Sequence, residues 1–151
     1  MTAFPDLALL IPSLFVGWVI GANDAANSMG TAVGARVRTL KEAVILVGIF
    51  GFLGAIFFGG RVTRTLGERV LPLPSLPDDL GRILAFTAMI AGGLTVLICT
   101  GFGVPVSTSH AIVGGLIGTG IAAGIHQLIV WRRVMVIFIA WVLTPVFAGL
   151  L

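Results

Sequence analysis

The sequence has few charged residues and almost no cysteine. Only 10% of its 151 residues are charged, whereas a water-soluble chain carries roughly 25% because its surface faces solvent. Hydrophobic residues make up 58% of the chain, and its mean hydropathy is +1.14. These values exclude a soluble domain and indicate an integral membrane protein. The single cysteine, Cys99, lies in an apolar run and indicates neither a disulfide framework nor a zinc site.

The chain also lacks a concentrated basic surface, although its net charge is +3. Its nine Lys and Arg residues are spread over short linkers and do not form the basic stripe that is typical of nucleic-acid binding. We interpret them as charges that face lipid headgroups. We therefore expect a multi-pass protein of the cell membrane, with the lipid bilayer as its surroundings and no nucleic-acid partner.

The spacing of the charged residues predicts where the chain crosses the membrane. A charge at the bilayer centre costs on the order of 3 kcal/mol, and a spanning helix needs about 20 apolar residues. We expect an all-α integral membrane protein with about four transmembrane helices and a re-entrant or broken helical hairpin, forming one unit over 1–151. The expected elements are a broken helix at about 7–35, a helix at 43–60, a loop at 61–82, a helix at 83–103, a hairpin at 104–123 and a helix at 131–151.

A cluster of polar residues interrupts the first apolar segment. The sequence GANDAANS, which begins at Gly21, contains a carboxylate, amides and a hydroxyl. A break at Gly21 would make Asn23 or Asp24 the first residue of a new half-helix. Asp24, Asn27 and Ser28 would then share one face of that half-helix. An interrupted apolar segment is a strong pointer to a transporter site, because unwound backbone is tolerated at membrane depth only where it lines a cavity.

A second cluster of polar residues follows Pro105, and this proline forces a break in the helix. The hydroxyls of Ser107, Thr108 and Ser109 can cap the next helix and present oxygens to a ligand. A helix N-terminus carries free N–H groups and about half a positive charge. Two such N-termini at membrane depth would favour a small oxyanion. Two interpretations of His110 remain open, a proton relay and an aromatic wedge beside the hairpin.

Asp24 would repel an anion at this site unless it carries a proton or helps to bind a cation. The side-chain oxygens of Asn23, Asn27 and Ser28 are hard ligands of the kind that an alkali cation prefers. We expect the coupling ion, with sodium as one candidate, at Asn23, Asp24 and Ser28. No other metal and no organic cofactor is expected. We do not expect an enzyme, since the Gly-x-Ser-x-Gly element of serine hydrolases is missing.

Three ordered motifs resemble the inorganic phosphate transporter (PiT) family. They are GANDAANSMGTAVG at 21–34, GVPVSTSHAIVG at 103–114 and WVLTP at 141–145. The third is similar to the family's Trp-x-x-Ser-Pro element, with Thr144 in place of the serine, a change that keeps the hydroxyl. The motifs extend over nearly the whole chain, which makes the resemblance far more specific than one short pattern.

The resemblance implies secondary active transport, a symport of inorganic phosphate with sodium or protons. Members of the family have two inverted halves, each with one Asn-Asp motif and one hairpin, and the substrate lies between the halves. By this resemblance, the substrate-binding residues are Asp24, Asn27, Ser107, Thr108 and Ser109. Some relatives carry sulfate, so a related oxyanion is an alternative substrate.

The 151 residues contain one Asn-Asp motif, where the family has two. The resemblance therefore implies the N-terminal half of a transporter, one of two inverted repeats. Its partner would be a second half or a second copy of the chain in the opposite orientation. The alternative is a truncated or accessory membrane subunit without transport activity of its own.

Overall fold

The computed structural model describes residues 5–150, a range that contains helices and loops and no β-strand. The last position of the final helix expected at 131–151 lies outside the described residues. Short 3-10 turns precede or connect the helices at Asp6–Leu9, Leu73–Ser75 and His126–Leu128. The α-helices are α1 (Leu10–Gly34), α2 (Leu40–Arg69), α3 (Asp78–Gly101), α4 (Thr108–Ala122) and α5 (Trp131–Leu150).

The helices confirm the predicted fold class. Four segments are long and apolar enough to cross a membrane: Leu7–Gly34, Leu40–Arg64, Asp78–Gly101 and Trp131–Leu150. Helix α4 has 15 residues, so at 1.5 Å per residue it is about 22 Å long, shorter than the roughly 30 Å hydrocarbon core. The architecture is therefore four spanning helices and one short helix that begins after the break at Pro105.

The first span differs from its expectation, because α1 continues through Gly21 without a break. The polar side chains bond within the helix instead. The Ser28 hydroxyl donates to the Asp24 carbonyl at 2.7 Å, and Asn27 Nδ2 donates to Asn23 Oδ1 at 3.0 Å. The segment contains three alanines and no proline, and alanine is the strongest helix former. Asn23 and Asp24 therefore do not begin a half-helix, and the site keeps one helix N-terminus, that of α4.

The loop expected at 61–82 is also shorter than predicted, since α2 and α3 leave only 70–77 between them. Arg64 and Glu68 form an ion pair one helical turn apart in α2, with an N–O distance of 3.6 Å. Such i,i+4 pairs support a helix in water. Charged residues end a membrane span, but they do not end a helix, because helical backbone hydrogen bonds form in water as well as in lipid.

Helix α3 lies at the centre of the fold and packs mainly against α4 and α1. A Cβ added at Gly115 of α4 would lie 2.6 Å from the carbonyl oxygen of Ala88, and one added at Gly93 would lie 2.6 Å from the ring of Phe15 in α1. Glycine at these positions allows the helix backbones to approach closely. This packing holds the middle of α1 and the start of α4 on neighbouring sides of α3.

Candidate functional site

One open cavity, of about 470 Å³, lies between the middle of α1 and the start of α4. Its lining comprises Asp24, Asn27, Pro105, Val106, Ser107, Thr108 and Ser109. All the residues predicted to bind substrate therefore lie around the same cavity, although they come from two segments far apart in the sequence. Their roles in binding stay predictions.

Asp24 and Thr108 are in direct contact at this cavity. The Thr108 hydroxyl donates a hydrogen bond to Asp24 Oδ2 at 3.2 Å, between residues 84 positions apart in the chain. Both side chains are half-buried. This contact ties α1 to the first residue of α4. The other oxygen of the carboxylate remains able to accept a second partner.

Ser107 caps α4 and determines where the helix begins. Its side-chain oxygen accepts from the backbone N–H of His110 at 3.4 Å, and its extended backbone, with ψ at 118°, is the usual N-cap conformation. A hydroxyl that accepts this bond keeps its own proton to donate to a ligand. Ser109, in the first turn, is exposed at the same cavity. The α4 side of the cavity therefore offers hydroxyl donors beside a positive helix end.

Asn23 lies behind the cavity and not in it. This residue is only 5% exposed, and its Nδ2 donates to the Thr100 hydroxyl of α3 at 2.8 Å. Its Oδ1 accepts from Asn27 at 3.0 Å. Asn23 lines a smaller neighbouring cavity of about 150 Å³, together with Asn27 and Thr100. The residue predicted to hold the coupling ion thus also connects α1 to α3.

Sequence reasoning missed Thr100. Its hydroxyl donates to the Val96 carbonyl at 2.8 Å, as the hydroxyl of Thr95 does to Ala91 at 2.9 Å. In the sequence, both are threonines within one apolar run, and no local signal separates them. Only the packing of α1 on α3 shows that Thr100 meets a polar side chain.

Ser28 lies outside the cavity lining, on an exposed part of α1. Its hydroxyl donates to the backbone carbonyl of Asp24, one turn earlier, at 2.7 Å. This bond leaves the oxygen of Ser28 free to accept, but it holds that oxygen beside the helix backbone. The predicted role of Ser28 at the coupling ion stays a prediction, and the structure does not place it with the cavity residues.

His110 also lies outside this cavity. Its ring meets Trp141 of α5 edge to face, with 3.6 Å between the ring centroids and an interplanar angle of 84°. It lines an apolar groove of about 530 Å³ on another side of α4. An aromatic contact of this kind is what the wedge interpretation expects, and that interpretation stays a prediction. The proton-relay interpretation stays a prediction.

A carboxylate, an amide and hydroxyls around one cavity between a membrane-spanning helix and a short apolar helix are typical of a secondary transporter. The chain belongs to the Phosphate transporter family, whose model matches residues 20–151. This family is a class of transporters and not of enzymes. The membership and the four spanning helices make the chain a multi-pass protein of the cell membrane.

The chain is similar to several named proteins. It is 38% identical over 146 residues to a protein of Thermococcus kodakarensis and 40% identical over 150 residues to one of Pyrococcus furiosus, both named "Putative phosphate permease". These matches cover 96% and 97% of this chain and 36% of each relative. A solved structure, "The sodium-dependent phosphate transporter", is 38% identical with a TM-score of 0.88, over 95% of this chain and 36% of that one. The chain thus spans about a third of the length of these relatives.

Proposed function

We propose that this chain takes part in the transport of inorganic phosphate across the cell membrane, by symport with sodium or protons. The observation that carries the proposal is the cavity where the Asp24 carboxylate faces the first turn of α4. Its two sides differ in charge, since α1 contributes a carboxylate and α4 contributes a helix N-terminus with hydroxyls. Membership of the phosphate transporter family supports phosphate as the anion.

The α4 side is suited to an oxyanion. Phosphate oxygens accept hydrogen bonds, and Ser107 and Ser109 have hydroxyl protons to donate to them. The free N–H groups and the positive end of the helix dipole favour negative charge at the same place. Sulfate has the same tetrahedral shape, so sulfate competition is part of the test of this assignment.

The Asp24 side accounts for coupling. Two like charges about 4 Å apart repel by about 4 kcal/mol at an effective dielectric constant of 20, so phosphate and an ionised Asp24 oppose each other in one cavity. A sodium ion or a proton at Asp24 removes this repulsion, so the anion and the cation bind together. The solved relative is named as sodium-dependent, which supports sodium as the cation.

We further propose that the chain forms one part of a larger site. The cavity is open, and the chain spans 36% of the matched relatives. A second half of the transporter or a second copy of this chain would close the cavity and complete the binding of phosphate. The surrounding bilayer would cover the remaining apolar helix faces.

The test is uptake of labelled phosphate into proteoliposomes that contain the chain, with a sodium gradient, a proton gradient or neither. We expect Asp24→Asn to lower gradient-driven uptake by about tenfold or more, since one contact to a charged group is worth about 1.5–3 kcal/mol. Glu68→Gln is the control, because it removes a carboxylate that pairs with Arg64 outside the cavity. Unchanged uptake in Asp24→Asn would remove this carboxylate from the mechanism.

The same vesicles separate the alternatives. Inhibition by sulfate as strong as that by unlabelled phosphate would make the chain a general oxyanion transporter. Absence of uptake together with retained phosphate binding would support a half that needs its partner. Absence of both uptake and binding would support an accessory membrane subunit.

A further inference from the structure

A directed chain of hydrogen bonds runs from the backbone of α3 to the cavity. The Thr100 hydroxyl donates to the Val96 carbonyl at 2.8 Å. Asn23 Nδ2 then donates to the Thr100 oxygen at 2.8 Å, and Asn27 Nδ2 donates to Asn23 Oδ1 at 3.0 Å. Asn27 is the member of this chain that lines the Asp24 cavity.

The direction of the chain follows from its first member. A backbone carbonyl can only accept, so Thr100 uses its single proton on Val96 and can only accept from Asn23. Asn23 must therefore turn its NH₂ group toward Thr100, which leaves its Oδ1 for Asn27. Asn27 in turn must use Nδ2 on Asn23. Because the oxygen and nitrogen of an amide point in different directions, this orientation leaves Asn27 Oδ1 for another partner.

We propose that Thr100 and Asn23 are positioning residues that hold Asn27 with its carbonyl oxygen toward the cavity, as a ligand for the coupling cation. Asp24 and Asn27 are three positions apart and share a face of α1. The carboxylate and the amide oxygen together make that face electronegative. Such a face attracts a cation and repels an anion. This inference rests on the proposed function, and it moves Asn27 from the phosphate to the cation.

The burial of Asn23 supports a fixed orientation. An amide that is 5% exposed has little contact with bulk water to replace a lost partner, and an unsatisfied buried donor costs about 1–3 kcal/mol. Flipping Asn23 would place its NH₂ against the NH₂ of Asn27 and its oxygen against the Thr100 oxygen. Both new contacts would be repulsive while the Thr100 proton stays on the Val96 carbonyl, so that bond favours one orientation of the two amides.

The sequence allows a direct measurement, since Asn23 and Asn27 are its only asparagines. A chain labelled with ¹⁵N-asparagine in detergent micelles has two side-chain NH₂ groups. Each should have one hydrogen-bonded proton with slowed solvent exchange. Thr100→Val is nearly isosteric and removes the hydroxyl; it should speed exchange at Asn23 and change the signals of Asn27 as well. Unchanged amide signals in Thr100→Val would overturn the relay.

Sodium chloride and choline chloride titrations of the same samples test the ligand. We expect sodium, and not choline, to shift the Asn27 signals of the wild-type chain. Thr100→Val should weaken the apparent sodium affinity by about tenfold, the equivalent of one hydrogen bond. Thr100→Ser restores the hydroxyl and should restore the affinity. Thr95→Val is the matched control on α3, because the Thr95 hydroxyl donates to the Ala91 carbonyl in the same way and lies outside the Asp24 cavity.

A phosphate titration without sodium tests whether Asn27 responds to the anion instead. Asn27 signals that respond to phosphate in choline, or that fail to respond to sodium, would overturn the cation assignment. Phosphate uptake by the same preparation is measured separately. Retained sodium-driven uptake with silent Asn27 signals refutes this inference alone, whereas loss of uptake and of all ligand responses in the wild-type chain refutes the proposed function as well.

Discussion

The hydrogen bond between Asp24 and Thr108 joins the two clusters of polar residues, one in α1 and one at the start of α4. A carboxylate within a membrane-spanning helix is costly, and in the described structure its side chain meets the Thr108 hydroxyl at 3.2 Å. The sequence predicted that both residues belong to one site. It did not predict this contact, because the partners are 84 positions apart, and their distance depends on how α1 and α4 pack on α3.

Removal of the Thr108 hydroxyl should weaken this connection. We expect Thr108→Val to lower the free energy of unfolding by about 1 kcal/mol, since it removes one half-buried hydrogen bond. Thr108→Ser keeps the hydroxyl and should lose less. Thermal unfolding in detergent measures both variants. Equal midpoints for Thr108→Val and the wild-type chain would show that the contact adds nothing to stability.

At the scale of helices, the close approach of α3 and α4 positions the start of α4. The sequence predicted a hairpin at 104–123, and α4 lies within that range. It also predicted two half-helix N-termini, whereas the structure has one. Local polarity suggested a break in α1, but alanine content and hydrogen bonds within one turn keep the helix intact. A cluster of polar residues in an apolar span is therefore not by itself a sign that the helix breaks there.

Two glycines one turn apart provide a test of the α3–α4 contact. Gly115→Ala would place a Cβ 2.6 Å from the Ala88 carbonyl oxygen, and such overpacking costs about 1–3 kcal/mol. At Gly118 a Cβ meets nothing within 4 Å, so Gly118→Ala should be neutral or stabilising, by up to about 1 kcal/mol.

Thermal unfolding of the isolated chain compares the two variants. Equal destabilisation by Gly115→Ala and Gly118→Ala would show that helix propensity, and not the close approach of the helices, governs this part of α4.

At the scale of the whole molecule, much apolar surface has no partner within residues 5–150. No part of the apolar stretch tested in α5 is buried there, and only 6% of the corresponding stretch of α2 is buried. Lipid accounts for such faces in a membrane protein. The groove along α4 is also apolar, and the small residues that line it, including Gly114 and Gly118, would allow a further helix to approach. These features are what we expect if the chain forms one part of a larger transporter, as proposed above.

Ligand binding should raise the stability of the chain. A ligand that binds only the folded state contributes about 2.7 kcal/mol at 100 times its dissociation constant. We expect phosphate and sodium together to raise the unfolding midpoint in detergent by more than the sum of the rises that each produces alone, because each charge offsets the other in the cavity. Asp24→Asn should abolish the excess. Strictly additive effects in the wild-type chain would argue against coupled binding.

The sequence by itself determined the membrane class and the number of spans, and it predicted five of the residues that line the cavity. The class and the spans follow from the cost of charge in lipid. The candidate residues follow from polar side chains that stand out within apolar segments. Only the tertiary structure decided that α1 is continuous, that Asn23 meets Thr100 and that His110 packs against Trp141. The reason is physical: a sequence pattern reports interactions within a turn or two, whereas these contacts depend on the distance and rotation between packed helices.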